Sequence, residues 1–147
     1  MIATLRGRVT TINIDSAVIE MGGFGVSVHI TPATSSSLHI GSEVTLATSL
    51  VVRADSLTLF GFINDDERST FELLQTATGV GPRLAQAMLG VHSPNTLRMA
   101  VATEDFKTLE MVPGIGRKGA QRIVLELKDR IGSPDMHVTA RTMGVAT

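Results

Sequence analysis

The chain has 147 residues, 43% of them hydrophobic, and its five aromatic residues are all Phe, a composition that fits one ordinary folded domain or two small ones and excludes a disordered tail. Cysteine is absent, which excludes disulfides, a thiol nucleophile and cysteine-ligated metal or iron–sulfur centres; the four histidines, His29, His39, His92 and His137, lack metal-ligand spacing, so no metal site is expected. The formal charge of -1 gives no global attraction for a polyanion, and with no long apolar run and no export signal over residues 1–25 the expected location is cytoplasmic, without a membrane partner.

Residues 1–62 read as strands. Val9 to Ile14, Val18 to Met21, Val26 to Ile30, Val44 to Leu50 and Leu57 to Phe62 are short and rich in β-branched residues. Gly22, Gly23 and Gly25 supply a turn, while Gly7, Gly41 and Gly61 mark bends or close backbone approaches. Five or six such strands with short links describe a small closed or nearly closed barrel. Between Leu50 and Leu57, the stretch Val51-Val52-Arg53-Ala54-Asp55-Ser56 interrupts the pattern with polar residues. It reads either as a solvated hairpin tip or as a charged finger aimed at a ligand.

From Asp65 the period becomes helical. Asp65, Asp66 and Glu67 place acids in a first turn, where they complement the macrodipole, and Phe71 and Leu74 follow at helical spacing. Further helices are expected near Arg83 to Leu89, Pro94 to Ala102, Thr103 to Leu109 and Lys118 to Ile131, giving a five-helix unit in which Arg68 and Arg98 sit at the surface. Gly132-Ser133-Pro134 stops the last helix, and residues 135–147 read as a linker or truncated end. The expected division is 1–63 and 64–134. The first 62 residues hold three basic and four acidic groups, and residues 63–134 hold nine of each, with the bases clustered at particular turns.

An offset of 35 residues superposes Leu74 to Gln86 on Leu109 to Gln121. Leu, both glycines, Ala and Gln coincide, Val80 faces Ile115, and Arg83 faces Lys118. In such a turn the glycines of Gly79-Val80-Gly81 and Gly114-Ile115-Gly116 permit tight geometry and close approach, leaving amides at the start of the next helix free for a phosphate. Val80 and Ile115 can bury and pin the hairpin, and Pro82 suits a first helical position. Arg83, Arg117 and Lys118 lie at the turn mouths, where a contact to the same phosphate backbone is geometrically reasonable and reads no base sequence. A lone Gly-x-Gly also serves merely to join helices, and Arg122, Lys128 and Arg130 equally fit a solvated helix face. Neither copy carries a Gly-x-x-x-x-Gly-Lys-Ser/Thr loop, and no catalytic constellation can be assembled, so neither nucleotide binding nor catalysis by this chain is expected.

These motifs, with Met1-Ile2-Ala3-Thr4-Leu5-Arg6-Gly7, Gly22-Gly23-Phe24-Gly25-Val26, Val51-Val52-Arg53 and Leu59-Phe60-Gly61-Phe62, make residues 1–134 resemble the RuvA family of bacterial subunits that bind Holliday junctions. The resemblance implies an N-terminal β-barrel of OB type followed by an all-α domain with two helix–hairpin–helix motifs, α+β and multidomain overall. It implies DNA backbone contacts from Gly79, Val80, Gly81, Arg83, Gly114, Ile115, Gly116, Arg117 and Lys118, with Arg53 and Arg122 as additional contacts. It further implies a homotetramer or two stacked tetramers on four-way junction DNA, a hexameric RuvB-type AAA+ motor that uses ATP and Mg, and a RuvC-type resolvase. The family's two acids at the barrel hairpin tip map onto Ala54 and Asp55, so only Asp55 remains as a junction-centre pin that repels phosphates. The family's Lys-Lys-Thr after the second hairpin is Arg117-Lys118-Gly119 here. The third domain, which contacts the motor in the family, is not evident after Pro134.

Two other classes fit the hairpins: a helix–hairpin–helix DNA-processing enzyme, and a non-catalytic protein-interaction module.

Overall fold

The computed structural model describes residues 1–132, so the expected helix stop at Ser133-Pro134 and the linker at 135–147 lie outside the described residues. The chain forms two compact units, Met1–Ser69 and a second beginning at Thr70.

The first unit is a barrel. Strands β1 (Thr4–Ile12), β2 (Ser16–Met21), β3 (Phe24–His29), β4 (Glu43–Arg53) and β5 (Ser56–Phe62) close in the order β1-β2-β3-β5-β4, with helix α1 (Pro32–Ser37) between β3 and β4. The neighbours pair antiparallel except β3 with β5, which meet in parallel at His29 and Phe60. This is the OB-type architecture. Leu5, Val9, Ile19, Val28, Leu46 and Leu59 point inward and form the core with Ala17, Ile30 and Leu38.

The glycines explain how the barrel closes. Gly22 and Gly23 take φ of 54° and 87° and form the two-residue link between Met21 and Phe24, the left-handed pair that matches strand twist in a tight hairpin. Gly61 lies where a Cβ would stand 2.5 Å from Val28 Cγ1, so β5 packs there on its own backbone.

Two expectations for the barrel need correction, and one of its elements was not expected. Strand β1 begins at Thr4, not Val9, because exposed Thr4, Arg6 and Arg8 alternate with inward Leu5, Gly7 and Val9, a half-buried pattern obscured by its charged face. The Val51–Ser56 stretch does not interrupt the strands: the β4–β5 ladder continues to Arg53 opposite Ser56, leaving Ala54 and Asp55 alone as an exposed tip. Helix α1 had no apolar period by which to be seen; its sequence is Pro-Ala-Thr-Ser-Ser-Ser, and it is held by Thr31, whose hydroxyl accepts from the Thr34 N–H at 3.2 Å.

Glu67 sits near the start of α2 (Asp65–Leu74), where Asn64 Oδ1 accepts from its N–H at 2.9 Å and its own carboxylate accepts from the Ile63 N–H at 3.3 Å. Burial raises its pKa, with Ile63 opposing and the Asp66 charge reinforcing the rise. A raised folded-state pKa gives a stability contribution that is complete below the unfolded value of 4.5 and lost as pH climbs through the folded value. Glu67→Gln keeps an acceptor for Ile63 without a charge to desolvate. Its melting temperature is therefore expected to rise relative to wild type between pH 4 and pH 7, and thermal melts at the two pH values check this.

The second unit contains the remainder of α2 and helices α3 (Pro82–Val91), α4 (Pro94–Ala102), α5 (Phe106–Glu110) and α6 (Arg117–Leu127). Its core repeats at the same 35-residue offset as the sequence: Leu74 with Leu109, Ala77 with Val112, Val80 with Ile115, Ala85 with Ala120, and Met88 with Ile123 are all buried. Helix α5 starts later than Thr103 because Thr103 caps α4, Glu104 adopts φ of 55°, and Asp105 caps α5. Hydrogen bonds from the Thr108 hydroxyl and then its N–H hold the Asp105 carboxyl below its ordinary pKa. Arg98, expected at the surface, is buried with only 2% exposure. No helix among the described residues is long and apolar enough to cross a membrane.

Candidate nucleic-acid interface

The two glycine hairpins have the same backbone. Gly79 and Gly114 take φ of 83° and 98°, where an L side chain is strained, and so reverse the chain after α2 and α5. Gly81 and Gly116 have φ of -92° and -96°, extended values open to any residue, and cap α3 and α6. The hydrogen bonds repeat too: the Val80 N–H donates to Ala77 O and the Ile115 N–H to Val112 O, both at 3.1 Å, while Ala85 and Ala120 donate to Gly81 O and Gly116 O at 3.0 and 2.9 Å.

This assigns different duties within each motif. Val80 and Ile115 are 6% and 7% exposed and spend their amides inside the turn, so they anchor the hairpin. The amides of Gly81, Arg83 and Leu84, and those of Gly116, Arg117, Lys118 and Gly119, have no acceptor among the described residues. Such orphan N–H groups at a helix start can hold an anion. Arg117 stands where the first copy has Pro82, so the second copy presents one more amide.

Two choices here oppose helix stability, and both are repeated. Ser, Thr, Asp or Asn would cap the orphan amides, yet glycine caps α3 and α6 with no side-chain bond, and a Cβ at Gly81 or Gly116 would meet nothing within 4 Å. The first turns hold no acid, unlike that of α2, and instead carry Arg83 or Arg117 and Lys118 at the positive end of the dipole. Packing explains neither choice. An anion seated on the amides explains both, since it supplies the missing acceptor and the missing negative charge.

The copies differ in charge. The second gathers exposed Lys107, Arg117, Lys118 and Arg122, where the first has Glu72, Pro82, Arg83 and Ala87. Lys107 escaped the sequence reading; the reversal from Glu72 across the repeat was the available signal. Arg117 is held from two sides, by Glu110 Oε2 at 3.3 Å and by the Phe106 ring, 5.2 Å from its guanidinium carbon to the centroid. Arg83, Lys118 and Arg122 make no ion pair among the described residues. Lys128 is paired with Glu104 at 2.9 Å, and Arg130 donates to the Thr76 hydroxyl at 3.2 Å, which engages both within the fold. Asp55 and Arg53 lie in the barrel unit, at and beside the hairpin tip respectively, both exposed. Among the described residues no group of three or more His, Asp or Glu side chains could hold a metal ion.

Comparison with known proteins agrees with this division. Residues 1–61 match the family described as the RuvA N-terminal domain, and residues 71–129 match the SAM-like helix–hairpin–helix tandem. The Holliday junction branch migration complex subunit RuvA of Acidothermus cellulolyticus is 62% identical over 144 residues, covering 98% of this chain and 74% of that protein. This chain belongs to the RuvA family. The proteins of the same name from Thermobifida fusca and Streptomyces coelicolor are each 64% identical over 134 residues, 91% of this chain. The chain spans 66% and 67% of those two relatives, about two thirds of their length.

Proposed function

We propose that this chain binds four-way DNA junctions by the phosphate backbone of their arms and presents them to an AAA+ motor for branch migration in recombination and repair. The observation that carries the reading is the pair of glycine-capped, base-bearing helix starts, alike in φ, ψ and hydrogen bonding, whose first amides have no acceptor among the described residues. Gly81, Arg83, Gly116, Arg117, Lys118 and Arg122 make the contacts, Gly79 and Gly114 shape the turns, and Lys107 joins them. No catalytic residue or cofactor is assigned to this chain; ATP and Mg belong to the motor. A homotetramer, or two stacked, repeats the grips in four-fold array, so that weak contacts combine through fixed geometry and select a junction over a linear duplex. The motor and a RuvC-type resolvase complete the assembly, in the cytoplasm.

Gel-shift titration against a junction and a linear duplex of matched sequence tests this, with the junction expected to bind far more tightly and with little sequence preference. Equal affinity for both would remove the junction from the reading. The salt slope tests the unequal copies. Replacing Lys107, Lys118 and Arg122 together by Ala is expected to lower the slope of log affinity against log salt by about 3 for each protomer engaged on the DNA, and Arg83→Ala by about 1 for each. Equal losses would refute the asymmetry.

Asp55 at the β4–β5 tip is assigned to the junction centre, where its charge repels phosphates and keeps the strands apart. Neither Ala54 nor Asp55 has positive φ, so Ala54→Glu adds an acid without backbone strain. With a cognate motor present, Asp55→Ala is expected to retain arm binding but alter branch migration, and Ala54→Glu to shift it the opposite way. Identical migration rates in all three proteins would reject a role for the tip charge.

A further inference from the structure

The first hairpin is tied to the last helix by a contact that the second lacks. Glu126, near the end of α6, accepts from the Thr78 N–H at 3.1 Å and from the Thr78 hydroxyl at 2.8 Å, immediately before Gly79. One turn further on, Arg130 donates to Thr76 O at 3.4 Å and to the Thr76 hydroxyl at 3.2 Å. At the matching positions of the other copy stand Pro113 for Thr78 and Val91 for Glu126, so neither the N–H, the hydroxyl nor the carboxylate exists there. Pro113 needs no such tie, because its ring fixes φ before Gly114.

Helix α6 therefore touches both grips: its N-terminus is the second, and its C-terminal turn holds the first. Ten residues separate Gly116 from Glu126, about 15 Å along a helix axis. A carboxylate beside an anion site opposes the anion by Coulomb's law, so an acid at this place works against phosphate binding unless its position does something else. We propose that Glu126 is a positioning residue, whose bond to Thr78 sets the separation of the two phosphate grips so that both meet one duplex at once. The proposal rests on the phosphate-grip reading above. It also gives the Thr78 amide to Glu126 and not to DNA.

Its sign separates it from simple electrostatics. Glu126→Ala removes a negative charge near the DNA, which by itself tightens binding, and removes the tie, which loosens it. The expected result is a net loss of junction affinity of at least about tenfold, the scale of a lost pair of charge-assisted hydrogen bonds. Glu126→Gln retains a carbonyl for the Thr78 N–H and an amide for its hydroxyl, and is expected to bind at least as tightly as wild type. Amide exchange supplies a readout without DNA: in Glu126→Ala the Thr78 N–H is expected to exchange faster while core amides of α3 and α6 remain protected. If Glu126→Ala binds as tightly as the wild type or more so, or if Thr78 exchange is unchanged, the proposal is overturned while the grip reading stands. If Glu126→Gln fails to rescue, position is not the cause and the proposal is likewise overturned. Failure of the unsubstituted chain to bind junction DNA would overturn the grip reading and this proposal with it.

Discussion

Replacing Gly81 and Gly116 together by valine is expected to weaken junction binding by at least about a hundredfold, because each grip loses phosphate bonds worth about 1.5–3 kcal/mol apiece. The fold should survive. Both positions have extended backbone that valine adopts freely, a Cβ there meets nothing, and the poorer cap costs about 1 kcal/mol per site. Circular dichroism establishes folding before the gel shift is read. A folded double variant that binds like the wild type would end the phosphate-grip reading. Gly79→Ala and Gly114→Ala make a weaker test, since positive φ adds about 1–2 kcal/mol of strain per site and confuses lost binding with a distorted turn.

The largest stability effect is expected at Gly7. A Cβ there runs into the backbone oxygen of Glu20 on the paired strand, and also lies 2.8 Å from Met21 Cγ and 2.9 Å from Ile19 Cγ2. A backbone oxygen cannot rotate away as a side chain can. Gly7→Ala is therefore expected to destabilise the barrel by about 3 kcal/mol, lowering the melting temperature by about 12–24 °C for a unit of this size. Gly25→Ala is the control: its Cβ meets only the Val18 side chain, at 3.1 Å, and a few tenths of an ångström of movement relieves it. Calorimetry of the two variants compares them, and an equal small shift in both would show that β1 and β2 separate more easily than their packing implies.

Much of this protein was legible before any coordinates. The 35-residue repeat places Gly79-Val80-Gly81 and Gly114-Ile115-Gly116 in register, and the alternation of β-branched residues marks the barrel strands, because turn geometry and facial periodicity are local properties that a sequence displays directly. The family resemblance was equally local, carried by short contiguous motifs.

The tertiary structure decided what depends on residues distant in the chain. It separated the two glycines of each motif, one needed for its positive φ and the other leaving open space over unpaired amides. It extended β4 through Arg53, since the strand is defined by its partner and not by its own polarity. It buried Arg98, and it set Glu126 against Thr78 across 48 residues of chain. Sequence by itself determined that two like glycine turns recur in a helical segment that follows a barrel. Only packing between distant segments determined which amides those turns leave free and that Glu126 reaches Thr78, because a hydrogen bond across 48 residues leaves no period in the sequence from which to read it.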